Sequence, residues 1–202
     1  MNLKTYDKIM DTFHQNKGFM NFEQLQNEKV TMAQIEELKR RNTLYKFARG
    51  WYWCNECGYS KPDDFKYIAV AKMNPKAIIC LQSAAHIWGL IETIPEFVDI
   101  TIERTDRKNM EFDFPVNRYY LKNTGIQDEI ALIETEFGNY QVYEMNRTLC
   151  DCIRMNKEKT EDKIRSMVKE YCHCHSDMNL DKLAKYAKEL KALKTIQKYI
   201  RL

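Results

Sequence analysis

Three observations predict an α+β chain. A capped helix beginning at Thr31 runs directly into an alternating, basic hairpin; the run Phe97 to Ile102 is β-branched and alternating; and the sequence from Glu161 to Leu202 keeps a helical pattern. Together they predict an N-terminal winged helix-turn-helix over residues 1–57. A mixed α/β domain with a helical C-terminus is expected over residues 58–202.

Tyr6, Ile9, Met10 and Phe13 recur at helical spacing, and Gly18 is placed to stop that first helix. Phe22 and Leu25, set among polar residues, suit a short second helix. Thr31 and Gln34 stand at the spacing of a capping box, in which the hydroxyl accepts from an orphan helix N–H and the amide reaches back to the cap. Ile35, Leu38 and Asn42 are expected on one face of this third helix, with Ala33, Glu37 and Arg40 opposite, on a surface that can lie in a groove. Leu44 to Phe47 and Gly50 to Trp53 then read as two short strands around Ala48 and Arg49, with Gly50 free to take positive φ and Arg49 at the tip.

Three helices and a β-wing in this order are how a winged helix meets DNA. The residues expected at duplex DNA are Thr31, Ala33, Gln34, Glu37, Arg40, Arg41, Lys46 and Arg49. A small helical domain that binds protein is the plain alternative, and Glu36 and Glu37 weigh against strong phosphate binding. Trp51 and Trp53 can pack on the first helix or stack on a base, and packing is the favoured reading.

Gly58, Ser60, Lys61, Pro62 and two aspartates interrupt the pattern between Cys54 and Asp64, where the boundary is expected. Beyond it, Ala77 to Leu81 is an apolar run leading to Ser83, read as the cap of a helix that contains Ala84, Ala85, Ile87 and Trp88 and stops at Gly89. Phe97 to Ile102, Arg118 to Leu121 and Asn139 to Glu144 read as strands. Thr148 and Asp151 repeat the capping pattern, opening a helix through Ile153.

At 202 residues and 44% hydrophobic content the chain can bury one generous core or two compact ones. No apolar run is long enough to span a bilayer, and the first residues lack the order of a signal peptide, so no membrane partner and a cytoplasmic location are expected. The net charge of +3 is unevenly spread: residues 1 to 53 carry +3, residues 54 to 177 carry −5 and residues 178 to 202 carry +5. Basic ends flanking an acidic middle are compatible with nucleic-acid contact and exclude a uniformly basic coat.

The seven cysteines read as reduced thiols, with Cys80, Cys150 and Cys152 in apolar contexts. Cys54-Asn-Glu-Cys57 has the spacing of half a zinc site, and Cys172-His-Cys174-His175 offers four further ligand types. Adjacent residues of the second group cannot easily converge from a helix, so ordinary thiols are the expectation and neither metal nor cofactor is assigned.

No catalytic constellation emerges. Asp99, Glu103, Asp106 and Lys108 faintly suggest a metal-dependent nuclease, but the acid-x-Lys strand pattern is missing; Ser83 and His86 lack an oriented third partner, and there is no Gly-rich phosphate loop. A non-enzyme is expected. In the terminal segment Leu183, Ala187, Leu190 and Leu193 form a stripe, and Lys182, Lys185, Lys188 and Lys191, with Lys194 and Lys198, wrap the rest. That surface is either a solvated helix face or a second basic contact surface.

The succession Leu-Tyr-Lys-Phe-Ala-Arg-Gly-Trp-Tyr, then Ala-Ile-Ile-Cys-Leu-Gln-Ser-Ala-Ala-His-Ile-Trp-Gly-Leu, then strands, then Asn-Arg-Thr-Leu-Cys-Asp, then a helical tail, resembles the AbiEi family of abortive-infection antitoxins across nearly the whole chain. The resemblance implies a type IV antitoxin of phage defence that opposes a nucleotidyltransferase toxin encoded beside it, without a stable complex. It also implies a transcriptional repressor that binds its own operator DNA. It assigns Arg49, Gly50 and Tyr52 to the wing, Ser83 and Gly89 to the first helix of the second domain, and Arg147, Thr148 and Asp151 to a later helix start. Under this reading Lys182, Lys185, Lys188 and Lys191 are the candidate antitoxin surface, with RNA as a further possible target. The alternative is a stand-alone winged-helix regulator whose second domain senses a ligand or metal.

Overall fold

The computed structural model describes residues 1–121, 130–155, 161–173 and 178–201. It is a mixed α and β structure in which the chain divides into two compact units. The first comprises Met1–Pro75, Arg107–Phe114 and Glu134–Asn139, and the second Lys76–Asp106, Pro115–Ile133 and Tyr140–Leu202. The break expected after residue 57 therefore falls inside the first unit.

In the first unit, α1 (Leu3–Gln15) leads to β1 (Phe19–Asn21), α2 (Phe22–Asn27), α3 (Met32–Arg40), β2 (Leu44–Ala48), β3 (Trp51–Cys54) and α4 (Phe65–Met73). The strands form an antiparallel sheet in the order β1-β3-β2. Strand alternation sends Met20, Leu44, Tyr52 and Cys54 into one core with Ile9 and Phe13 of α1, Leu25 of α2, and Ile35 and Leu38 of α3. The opposite face carries Phe19, Tyr45, Phe47 and Trp53, against which Phe65 of α4 and Phe137 pack edge-on, tilted or stacked at centroid separations from 5.3 to 6.4 Å.

Trp53 thus packs, as the favoured reading had it, but on the face away from α1. Trp51 is half-buried beside Phe47. Strand β1 was not anticipated from the sequence, because three residues are too few to show a period.

Asn42 corrects the expected helix face. α3 ends at Arg40, Arg41 caps it, and Asn42 takes φ of 61°; its N–H reaches the Lys39 carbonyl at 3.0 Å and the Thr43 N–H reaches the Leu38 carbonyl at 3.0 Å. These two bonds close a Schellman turn, which lifts Asn42 off the apolar face and leaves it exposed.

In the second unit, β4 (Ile78–Ile79), α5 (Leu81–Ile87), β5 (Val98–Glu103), β6 (Val116–Leu121), β7 (Ile130–Ile133) and β8 (Tyr140–Tyr143) precede α6 (Met145–Met155), α7 (Glu161–His173), α8 (Leu180–Glu189) and α9 (Leu193–Ile196). The strands form a mixed sheet in the order β6-β5-β4-β8-β7, with β5–β6 and β4–β8 parallel. Leu149, Cys150, Ile153, Ile164, Tyr171, Leu183, Ala187 and Ile196 join α6 through α9 in one helical core.

Two expected caps are corrected. Ser83 lies inside α5 and is fully buried; its hydroxyl accepts the Asp99 N–H at 2.9 Å and donates to the Phe97 carbonyl at 3.3 Å. The Asp99 carboxylate, reaching over from β5, accepts from the Gln82 and Ser83 N–H groups in its place. Thr148 likewise lies within α6, where its hydroxyl donates to the Tyr143 carbonyl at 2.9 Å. Glu144 accepts the Arg147 N–H at 3.2 Å in the manner of a cap, and Asp151 is freed to bind Arg147 at 2.7 Å and Arg154 at 2.8 Å.

The terminal segment is also not one helix. Lys191 takes φ of 54°, with the Ala192 N–H on the Ala187 carbonyl at 2.8 Å, and separates α8 from α9. Among the described residues no helix is long and apolar enough to cross a membrane.

Candidate nucleic-acid interface

The α3 N-terminus is built by two reciprocal bonds. Thr31 accepts the Gln34 N–H at 3.3 Å, and the Gln34 side chain accepts the Thr31 N–H at 2.8 Å, so two orphan donors are satisfied locally. Both side chains are thereby engaged in holding the helix start. Ala33 and Arg40 project to solvent on α3, and Arg41 is exposed at its C-cap.

The acids of α3 are matched within the unit. Lys39 binds Glu36 at 2.9 Å, while Glu37 accepts from the Met1 ammonium at 3.1 Å and from Arg41 at 2.5 Å. The ammonium's hydrogen bond comes first among the causes that hold the Glu37 carboxyl below its usual range. Two of the eight predicted DNA contacts, Glu37 and Arg41, thus neutralise each other. Among the described residues no ion pair engages Arg40, Lys46 or Arg49.

Strands β2 and β3 form the expected hairpin, with a bulge between Lys46 and Ala48 and Gly50 at φ of 72° in the turn. Lys46 and Arg49 are both exposed, Arg49 at the tip. The outer edge of β2 is covered by a later piece of chain. Ala48 bridges Phe112, the Arg49 N–H donates to the Glu111 carbonyl at 3.1 Å, and the Asp113 N–H donates to the Phe47 carbonyl at 2.9 Å.

The hairpin is therefore braced by β1 on one side and, near its tip, by residues 111–113 on the other. Burial, reinforced by Asp113, raises the Tyr45 phenol above its usual pKa. The Phe112-Asp113-Phe114 alternation is the one sequence signal that could have revealed this covering piece, and it is too short to stand out.

Cationic side chains also lie on the aromatic face of the sheet: Lys61 sits 4.1 Å from the Tyr45 ring and Lys72 4.7 Å from the Phe19 ring. Sequence reading did not single them out, since nothing local ties a lysine of α4 to a ring of β1. In the second unit, Lys182, Lys185 and Lys188 are exposed on α8, and Lys185 lies 3.9 Å from Glu189. Lys191 is exposed in the left-handed turn beyond that helix, so it does not continue the same face.

Among the described residues no three His, Cys, Asp or Glu side chains gather as a metal-ligand set. Asp99 binds Asn117 at 2.9 Å and the start of α5, and burial raises its carboxyl pKa. Cys80, Cys150 and Cys152 are buried as expected, Cys172 is exposed, and Cys174 and His175 lie outside the described residues. No family model matches the chain, and no curated protein matches it.

Proposed function

We propose that the first unit is a winged helix-turn-helix that binds duplex DNA, with α3 in the major groove and the β2–β3 hairpin as the wing. The observation that carries this reading is the pairing, within one compact unit, of a doubly capped helix exposing Ala33 and Arg40 with a braced hairpin exposing Lys46 and Arg49. Glu36 and Glu37 are held by Lys39 and Arg41, which leaves Arg40, Lys46 and Arg49 as the cations offered to phosphate.

The whole-chain reading is an antitoxin of the type IV class that represses its own operon and opposes a nucleotidyltransferase toxin. Its support is the resemblance in motif order described above and the exposed lysines of α8.

The test is a two-readout assay. The Arg40→Ala/Arg49→Ala double variant is expressed with a fusion of the chain's own promoter to a reporter, and beside the nucleotidyltransferase toxin that this reading places next to it. Derepression with growth rescue retained is the expected outcome. Full repression by the double variant overturns the DNA reading, and loss of rescue by the wild-type chain overturns the antitoxin reading.

A further inference from the structure

Cys54 ends β3 and Cys57 follows three residues later, in the sequence Cys-Asn-Glu-Cys-Gly-Tyr. The backbone there is wound so that peptide N–H groups point at sulfur: those of Glu56 and Cys57 at the Cys54 thiol, and that of Tyr59 at the Cys57 thiol, with Gly58 at φ of 89° making the turn. The two thiols lie within hydrogen-bond reach of each other, and the Cys57 thiol also reaches the Cys54 carbonyl at 3.5 Å. Such N–H donors are the hydrogen bonds that a metal-bound sulfur accepts.

A third sulfur completes the group. Met10 of α1 places its Sδ 3.6 Å from the Cys54 Sγ. With metal–sulfur bonds of about 2.3 Å, two sulfurs sharing one trigonal ion stand about 4 Å apart, so a few tenths of an ångström of movement would seat an ion between Met10 and Cys54.

Both thiols are buried, while Met10 is half-buried and offers the route in from solvent. Among the described residues no three His, Cys, Asp or Glu side chains gather as a ligand set, so the four N, O or thiolate ligands of a structural zinc site are not supplied there. Two thiolates and a thioether are instead the soft donor set that selects a cuprous ion.

We propose that Met10, Cys54 and Cys57 form a three-sulfur site for a soft, monovalent d10 cation of the cuprous class. Loading forms two thiolate–metal bonds and one thioether–metal bond and releases the remaining thiol protons to solvent, with no change of oxidation state. The ion would join α1 to the exit of β3 within the first unit.

The test is anaerobic titration of the full chain with cuprous ion against a coloured cuprous chelator, followed by X-ray absorption. Cys172→Ser/Cys174→Ser serves as the background, to remove the exposed Cys172 and its neighbour in sequence. In that background one cuprous ion should be retained, with three sulfur neighbours at about 2.3 Å.

Met10→Leu conserves volume and should leave the melting curve in place. It should cut affinity at least tenfold and reduce the shell to two sulfurs. Adding Cys57→Ala should abolish retention.

Equal retention with and without Cys57, an unchanged three-sulfur shell in Met10→Leu, or displacement of the ion by equimolar zinc would each overturn the proposal. So would failure to retain copper in a chain whose thiols are shown to be reduced. If Met10→Leu shifts the melting curve, the sulfur count in the background protein alone decides: fewer than three overturns the site.

Discussion

A Cβ built on Gly18 would stand 2.5 Å from the Trp53 ring, and the residue itself has φ of 82°. Two costs therefore add on substitution, the left-handed backbone, about 1–2 kcal/mol for an L-residue, and overpacking against a buried indole, about 1–3 kcal/mol. Gly18→Ala is expected to lose about 2–5 kcal/mol, read as a fall in the urea midpoint at unchanged slope. A loss of only about 1–2 kcal/mol, the backbone cost alone, would show that the ring can move aside. The glycine was legible in the sequence as a helix stop. Its role as a floor for Trp53 was not, since the two residues meet only when β1 and β3 pair.

At the scale of elements, what could be read was what is built locally. The Thr31–Gln34 box depends on four consecutive residues, and the structure contains both of its bonds. Thr31→Ala is expected to cost about 1 kcal/mol, measured by thermal or chemical unfolding, and Thr31→Ser much less. Equal losses from the two would remove the hydroxyl from the cap.

Ser83 and Thr148 were misread because each fits a local capping pattern while its true partner comes from elsewhere: Asp99 of β5 caps α5, and Thr148 turns back to Tyr143. The strands β1 and β7, and the piece that covers β2, went unread for the same reason. Short strands take their identity from the partner that pairs with them. The basic tip survived the comparison, with Arg49 exposed at a turn formed by Gly50. The expected terminal helix did not, because a left-handed Lys191 carries no sequence mark as a glycine would.

For the whole molecule, the first unit is discontinuous in sequence, drawing on residues up to Pro75 and on two later segments. A fragment of residues 1–57 would lack Phe65 and Phe137, leaving the Phe19, Phe47 and Trp53 face bare, and would lose the Phe112 bridge to Ala48. Such a fragment is expected to aggregate or unfold without a cooperative transition, and a sharp, reversible melt would contradict that. Charge asymmetry was legible at this scale, but the weaving of the chain was not, because composition records no long-range pairing. The DNA reading rests on the assembled unit and is best tested on the full chain. The decisive measurement is the affinity for the duplex upstream of its own gene across a salt series, for wild type and Arg49→Ala. The expected result is a steep fall of affinity with salt in the wild type and a log–log slope shallower by about one in the variant. Salt-independent binding, or identical affinity and slope in the two proteins, would contradict a DNA-binding wing.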